Sequence, residues 1–253
     1  MDLNNITDKN TSETLDLLEK YKDKIKPYIF TDIIIARPRA DERFIASETQ
    51  HILSRTLLRS LYIRNGIVDA INSRNMVSMF ANLKSFMEIP ALLMYLYSLI
   101  DTNITPEELS EKFLNIIFGN KGDNQLRVGE RDAVNIMTMF EKLDKYMEKI
   151  SEKNKGKKDK QITTVMSDFY SLVCNASHPN YDAHDIIGKI DKEKSLWQGL
   201  SPKEFKERMI THAPWYTPPL HMTIVMIEHT CQLISSHDKI NNFEKLNNPK
   251  YLK

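Results

Sequence analysis

The chain has 253 residues, 41% hydrophobic and 27% charged, with a formal net charge of +1. It is long enough to bury a real core in one large domain or two small ones, and its charge balance gives no reason to expect a globally polyanionic partner. Seven glycines, under half the usual share of about 7%, argue against phosphate-cradling loops; "GNKGDN" at 119–124 lacks a following Gly-Lys-Ser/Thr and reads as a turn.

Twelve methionines with abundant Leu, Ile, Lys and Glu favour helices. Cys174 and Cys231 sit inside apolar helical patterns, which points to a reducing compartment and to no metal clip. The polar start "MDLNNITDKNTSETL" is no signal peptide, and "IPALLMYLYSLI" (89–100) offers twelve residues where a bilayer needs roughly 20. The expectation is a cytoplasmic protein with no membrane contact.

In chain order, Thr11 or Ser12 caps a first helix to about Ile25, with Leu15, Leu18, Tyr21 and Ile25 on one side. "KPYIFTDIIIARPRA" then reads as an extended connection, because Pro27 and Pro38 interrupt a helix. One long helix runs from Asp41 to about Ile71. A second runs from Asn75 to Ile100, its apolar stripe alternating four and three apart from Met76 to Tyr97 and kinked at Pro90. "TPEE" (105–108) is a capping box that opens a helix to about Phe118. A helix from about Glu130 to Ile150, a solvated basic loop (151–160) and a helix over 161–177 ending at His178-Pro179 follow. Residues 185–199 read as a small hairpin, with Ile186, Ile187 and Ile190 opposite Leu196 and Trp197. "SPKE" (201–204) is a second capping box, "HAPWYTPP" (212–219) a stiff aromatic loop, and a last helix covers about 220–238. The expected fold is an all-α bundle of about seven helices with two long antiparallel central helices. It divides into an N-terminal helix and connection (1–40), one bundle (41–238) and a polar tail (239–253).

Charge is unevenly spread. Residues 75–100 hold only Lys84 and Glu88, residues 161–178 only Asp168, and residues 219–236 only Glu228, against a chain average of 27%. Helices so poor in charge belong in the middle of a bundle, with 41–71 packed against them. Their few polar groups must then satisfy one another: Lys84 pairs with Glu88 four residues on, and Glu228 and His229 are the matching candidates on the last helix. Ser167, Ser171, Asn175 and His178 share a polar, uncharged face, opposite Val165, Phe169, Leu172 and Ala176, that suits another helix or a second subunit.

Helix 41–71 differs. Seven of the ten arginines fall between positions 37 and 74. Glu48, His51, Arg55, Arg59 and Tyr62 share one face, opposite Leu53, Leu57 and Leu61, and such a face suits phosphate oxygens and stacked bases.

The ending "FYSLVCNASHPN", with an upstream helix pair carrying "NLKSFMEIPALLMYL", resembles the HEPN superfamily over roughly residues 75–180. Tyr170 is followed by Val173-Cys174 where the family pattern has a leucine, then by His178-Pro179-Asn180. The resemblance implies a compact helical bundle that forms a homodimer and engages RNA or a protein partner in bacterial stress or phage defence. Active members are metal-independent endoribonucleases using Arg-x(4–6)-His. Here the arginine positions hold Val173, Leu172 and Ser171, none of them basic.

Two readings of His178 stay open. It closes its helix through the dipole and free carbonyls, or it acts as general acid or base with an arginine from helix 41–71. The candidate site is His178 as the catalytic residue and Arg55, Arg59, His51, Tyr62, Glu88 and Asn175 as ligand-binding residues. His178, Asp182 and His184 match no metal-ligand spacing, and no Gly-x-Ser-x-Gly elbow exists, so no metal or cofactor is expected. The preferred function is a non-catalytic binding or regulatory protein; the alternative is an endoribonuclease.

Overall fold

The computed structural model describes residues 9–30, 42–118, 133–153, 166–177, 188–191 and 196–240. Among them are eight α-helices: α1 (Lys9–Ile25), α2 (Glu42–Asn72), α3 (Met76–Ile100), α4 (Pro106–Phe118), α5 (Ile136–Lys153), α6 (Met166–Ser177), α7 (Pro202–Thr211) and α8 (Ala213–Ser236). A 3-10 turn, Lys26–Tyr28, follows α1, and strands β1 (Gly188–Asp191) and β2 (Leu196–Gly199) form an antiparallel pair. The fold is the expected all-α bundle.

Several ends are written in the local sequence. The Asn75 side chain accepts from Ser78 N at 3.0 Å and starts α3. Thr105 and Glu108 bond each other's backbone N–H to open α4, with Pro106 at the first position, and Ser201 and Glu204 do the same for α7. Helix α2 ends through two bonds, Asn75 N to Ala70 O and Arg74 N to Ile71 O, with Arg74 left-handed at φ 58°. That is a Schellman ending with arginine where glycine is usual. The start of α6 is capped from another helix, because Met166 N and Ser167 N both donate to the Asp144 carboxylate of α5.

Helix α3 is the axis, and α2, α5, α6 and α8 all pack on it. Pairings along the helices fix their directions. Tyr21 meets Ser60 while Arg64 reaches back to Leu18 O, so α1 and α2 run antiparallel. Thr14 meets Thr217 and Lys24 meets Glu228, so α1 and α8 run parallel. Phe140 lies on Tyr170 while Asp144 holds Met166, so α5 and α6 are antiparallel. Helices α2 and α3 form the expected long antiparallel pair, and the Asn82 side chain of α3 packs over Gly66 of α2, where an added Cβ would come within 2.8 Å of Asn82 Oδ1. Leu15, Leu18, Tyr21 and Ile25 of α1 share one core with α3, where Phe86 meets Tyr21 edge-on at 5.3 Å between ring centres.

Four expectations are corrected. Residues 213–219 are the first turns of α8, not a loop. Pro214 falls where a helix needs no N–H, and Pro218 and Pro219 strip a donor only from carbonyls in the first turn. Burial of Tyr216, Pro219 and Leu220 holds the segment helical. Helix α5 begins at Ile136, with Asn135 Oδ1 accepting from Met137 N, rather than near Glu130. Helix α6 is no interior rod: Met166, Tyr170, Val173 and Ala176 are buried, whereas Asp168, Ser171, Leu172 and Asn175 are exposed. Finally, the polar groups of the charge-poor helices satisfy one another only in part: Tyr170 of α6 donates to Glu88 of α3, whereas the buried Thr223 and Thr230 donate to Pro219 O and Met226 O of their own helix.

The hairpin forms as expected, with Ile190 paired to Trp197. The Trp197 ring lies over Gly188, where a Cβ would meet it at 2.4 Å, so a larger residue there would have to displace the ring. Among the described helices, α3 is long and apolar enough to cross a membrane by length and composition, since its apolar character extends beyond residues 89–100 across Lys84 and Glu88. In the bundle most of that apolar window is buried.

Candidate functional site

Helix α2 is enclosed at its beginning and open further on. Residues 44–50 are buried on every side, α4 being one of the elements packed against α2. Glu48 therefore does not face water. It is 5% exposed and lies 3.4 Å from Nδ1 of the half-buried His51. Beyond His51 the outer face opens. Arg55, Leu58, Arg59 and Tyr62 are exposed, while Leu53 and Leu57 on the opposite side are buried in the core. Neither Arg55 nor Arg59 makes an ion pair among the described residues, in contrast to Arg64, which bonds Leu18 O and Asn65 Oδ1 and pairs with Glu19. Tyr62 is 77% exposed. The arginine face read from the sequence thus exists as a ridge, with Leu58 as a member that the charge pattern did not reveal.

Glu88 belongs elsewhere. No ion pair joins it to Lys84; it accepts instead from Tyr170 Oη at 2.9 Å, tying α6 to α3. Burial first, and then the Glu88 carboxylate, raises the Tyr170 phenol well above its ordinary value. Tyr170 also stacks on Phe140 at 4.5 Å, so its ring is fixed from two sides. Asn175 is exposed on the outer face of α6. His178, Asp182 and His184 lie outside the described residues, as do Arg37, Arg39 and the tail from 241 onward.

A second polar cluster gathers where α3, α5 and α8 end. Tyr146 Oη and His229 Nε2 are 2.8 Å apart. Tyr97 sits edge-on to both Tyr146 and His237, His237 Nε2 lies 3.7 Å from Asp101, and Lys239 Nζ donates to Ile100 O and Thr102 O. Burial raises the Tyr97 and Tyr146 phenols, aided by Asp101 for the first and by Tyr97 for the second. Lys239 caps the α3 carboxyl end, so this cluster fastens helix ends. Sequence spacing gave no sign of it, because its members come from four separate stretches.

The predicted site residues therefore fall in two places. His51, Arg55, Arg59 and Tyr62 share the α2 ridge, whereas Glu88 and Asn175 belong to the α3–α6 side. Both α2 and α6 pack on α3, but they are not principal neighbours of one another. Among the described residues no group of three or more His, Cys, Asp or Glu is placed to hold a metal ion. No family model matches the chain, and no match is found among curated proteins or solved structures.

Proposed function

We propose that the protein is a non-catalytic, HEPN-like helical binding protein of the cytoplasm, and that its ligand is RNA held on the outer ridge of α2. The observation that carries this reading is the pair of exposed guanidinium groups of Arg55 and Arg59, one helical turn apart and without an ion pair among the described residues. Acids three or four residues away could pair with these arginines on their own helix, but positions 51, 52, 56, 58, 62 and 63 hold none. Binding is favoured over cleavage because the positions where the resemblance would place a catalytic arginine hold Ser171, Leu172 and Val173, none of them basic.

The same proposal includes a role in bacterial stress or phage defence, and a homodimer formed through the outer face of α6. Leu172→Arg should then convert a sedimenting dimer to monomer. Fluorescence anisotropy with labelled RNA at low salt tests the main reading. The wild type binds, and Arg55→Ala/Arg59→Ala loses binding while keeping its circular dichroism. Wild-type protein with no affinity for RNA, yet capturing a protein partner through the same two arginines, replaces RNA with that partner.

A further inference from the structure

We infer that the α2 ridge takes a short unpaired stretch of RNA, with one base stacked on Tyr62 and two phosphates held by Arg55 and Arg59. This rests on the binding reading above and specifies the ligand. Tyr62 is 77% exposed, and its ring and hydroxyl have no partner among the described residues. A tyrosine held open on a rigid helix presents a whole ring face. An unstacked base can lie on it, whereas bases within a duplex cover each other's faces.

The dimensions agree. Arg55 and Arg59 are separated by about 6 Å of helical rise, and Tyr62 lies about 4.5 Å further along. The three side chains lie within about 60° on the helical wheel, so they form one narrow line. A line about 10 Å long serves two or three nucleotides; reading double-stranded RNA takes contacts over about 16 base pairs. The ridge is also bounded. Towards its beginning the backbone meets the half-buried His51 beside Glu48, and towards its end it meets exposed Asp69, whose charge repels phosphate. Leu58, 43% exposed between the two arginines, offers an apolar surface for the edge of a neighbouring base. Two phosphate contacts set a shallow salt dependence, with log K falling against log salt at a slope of about −1.4.

The test is an anisotropy titration of the full chain with labelled oligouridine, oligoadenosine and a perfectly paired RNA duplex, each over a salt series. The variants are Arg55→Ala/Arg59→Ala, Tyr62→Ala and Tyr62→Phe. All three positions are exposed, so folding is preserved, and circular dichroism verifies it. The single strands should bind with a slope near −1.4 and the duplex at least about tenfold more weakly. Tyr62→Ala should weaken single-strand binding by about 5- to 150-fold with the salt slope unchanged, and Tyr62→Phe should bind like the wild type. Duplex bound as well as single strand, or Tyr62→Ala without effect, overturns the inference and leaves the arginine-dependent binding standing. A wild type that binds none of the three overturns the underlying reading as well.

Discussion

Removing the Tyr170 hydroxyl isolates the contact that joins α6 to the axis of the bundle. In Tyr170→Phe the ring keeps its place against Phe140, 4.5 Å away between ring centres, while Glu88 Oε1 loses the donor now at 2.9 Å. A hydrogen bond to a charged group contributes about 1.5–3 kcal/mol, and because Glu88 is half-buried the lower end applies, about 1.5 kcal/mol. At this chain length that loss lowers Tm by about 3–6 °C. Urea denaturation followed by circular dichroism should show the midpoint falling with the m-value unchanged. A double-mutant cycle with Glu88→Gln should give a coupling of about 1 kcal/mol, whereas the matching cycle between Lys84 and Glu88 should give under about 0.3 kcal/mol. A larger coupling to Lys84 than to Tyr170 would refute the geometry and restore the pairing expected from four-residue spacing.

Other outcomes follow from single features. Arg74→Gly should stabilise the fold by about 0.5–1 kcal/mol, since it relieves a left-handed arginine at the end of α2; a destabilised variant would contradict the Schellman ending. Burial, with the Glu228 carboxylate nearby, pushes the Cys231 thiol up to about 12, so native protein should alkylate at half-buried Cys174 while Cys231 reacts only on unfolding. Mass spectrometry of the labelled peptides distinguishes the two. The Lys189 ammonium, and then Ser201, hold the exposed Glu204 carboxyl at about 2 against an ordinary 4.5. A depressed folded-state value means the cap of α7 contributes above pH 4.5 and is lost as pH falls from there through about 2. NMR titration of Glu204 should place its midpoint near 2, and a midpoint at the ordinary value would contradict the Lys189 contact.

What the sequence revealed follows physical range. Caps depend on three or four adjacent residues, so Thr105–Glu108 and Ser201–Glu204 were readable in advance, whereas the cap expected at Thr11 or Ser12 was misplaced, since α1 begins at Lys9. Periodicity showed α3 as a buried helix and showed which side of α1 and α2 faces inward. Scarcity of charge proved ambiguous. It marked α3 correctly, but α6 is equally poor in charge and still leaves Ser171, Leu172 and Asn175 in water, because uncharged hydroxyls and amides are content there. The prolines of 213–219 misled for a related reason: local propensity opposes a helix, and the burial of Tyr216 and Leu220 that overrides it is a tertiary effect. Glu88's partner was invisible, since Tyr170 lies 82 residues away while Lys84 stands at helical spacing. Of the candidate site, the α2 ridge was legible from one helical wheel. The separation of Glu88 and Asn175 from it was not, because that depends on which sides of α3 its neighbours occupy.

Photochemical crosslinking of a short single-stranded RNA to the intact protein, with the attached peptides identified by mass spectrometry, asks most directly where the ligand lies. Adducts should concentrate on the α2 peptide that contains Tyr62 and disappear in Arg55→Ala/Arg59→Ala. Adducts on residues 166–177 with none on α2 would contradict the ridge and return attention to the end of α6.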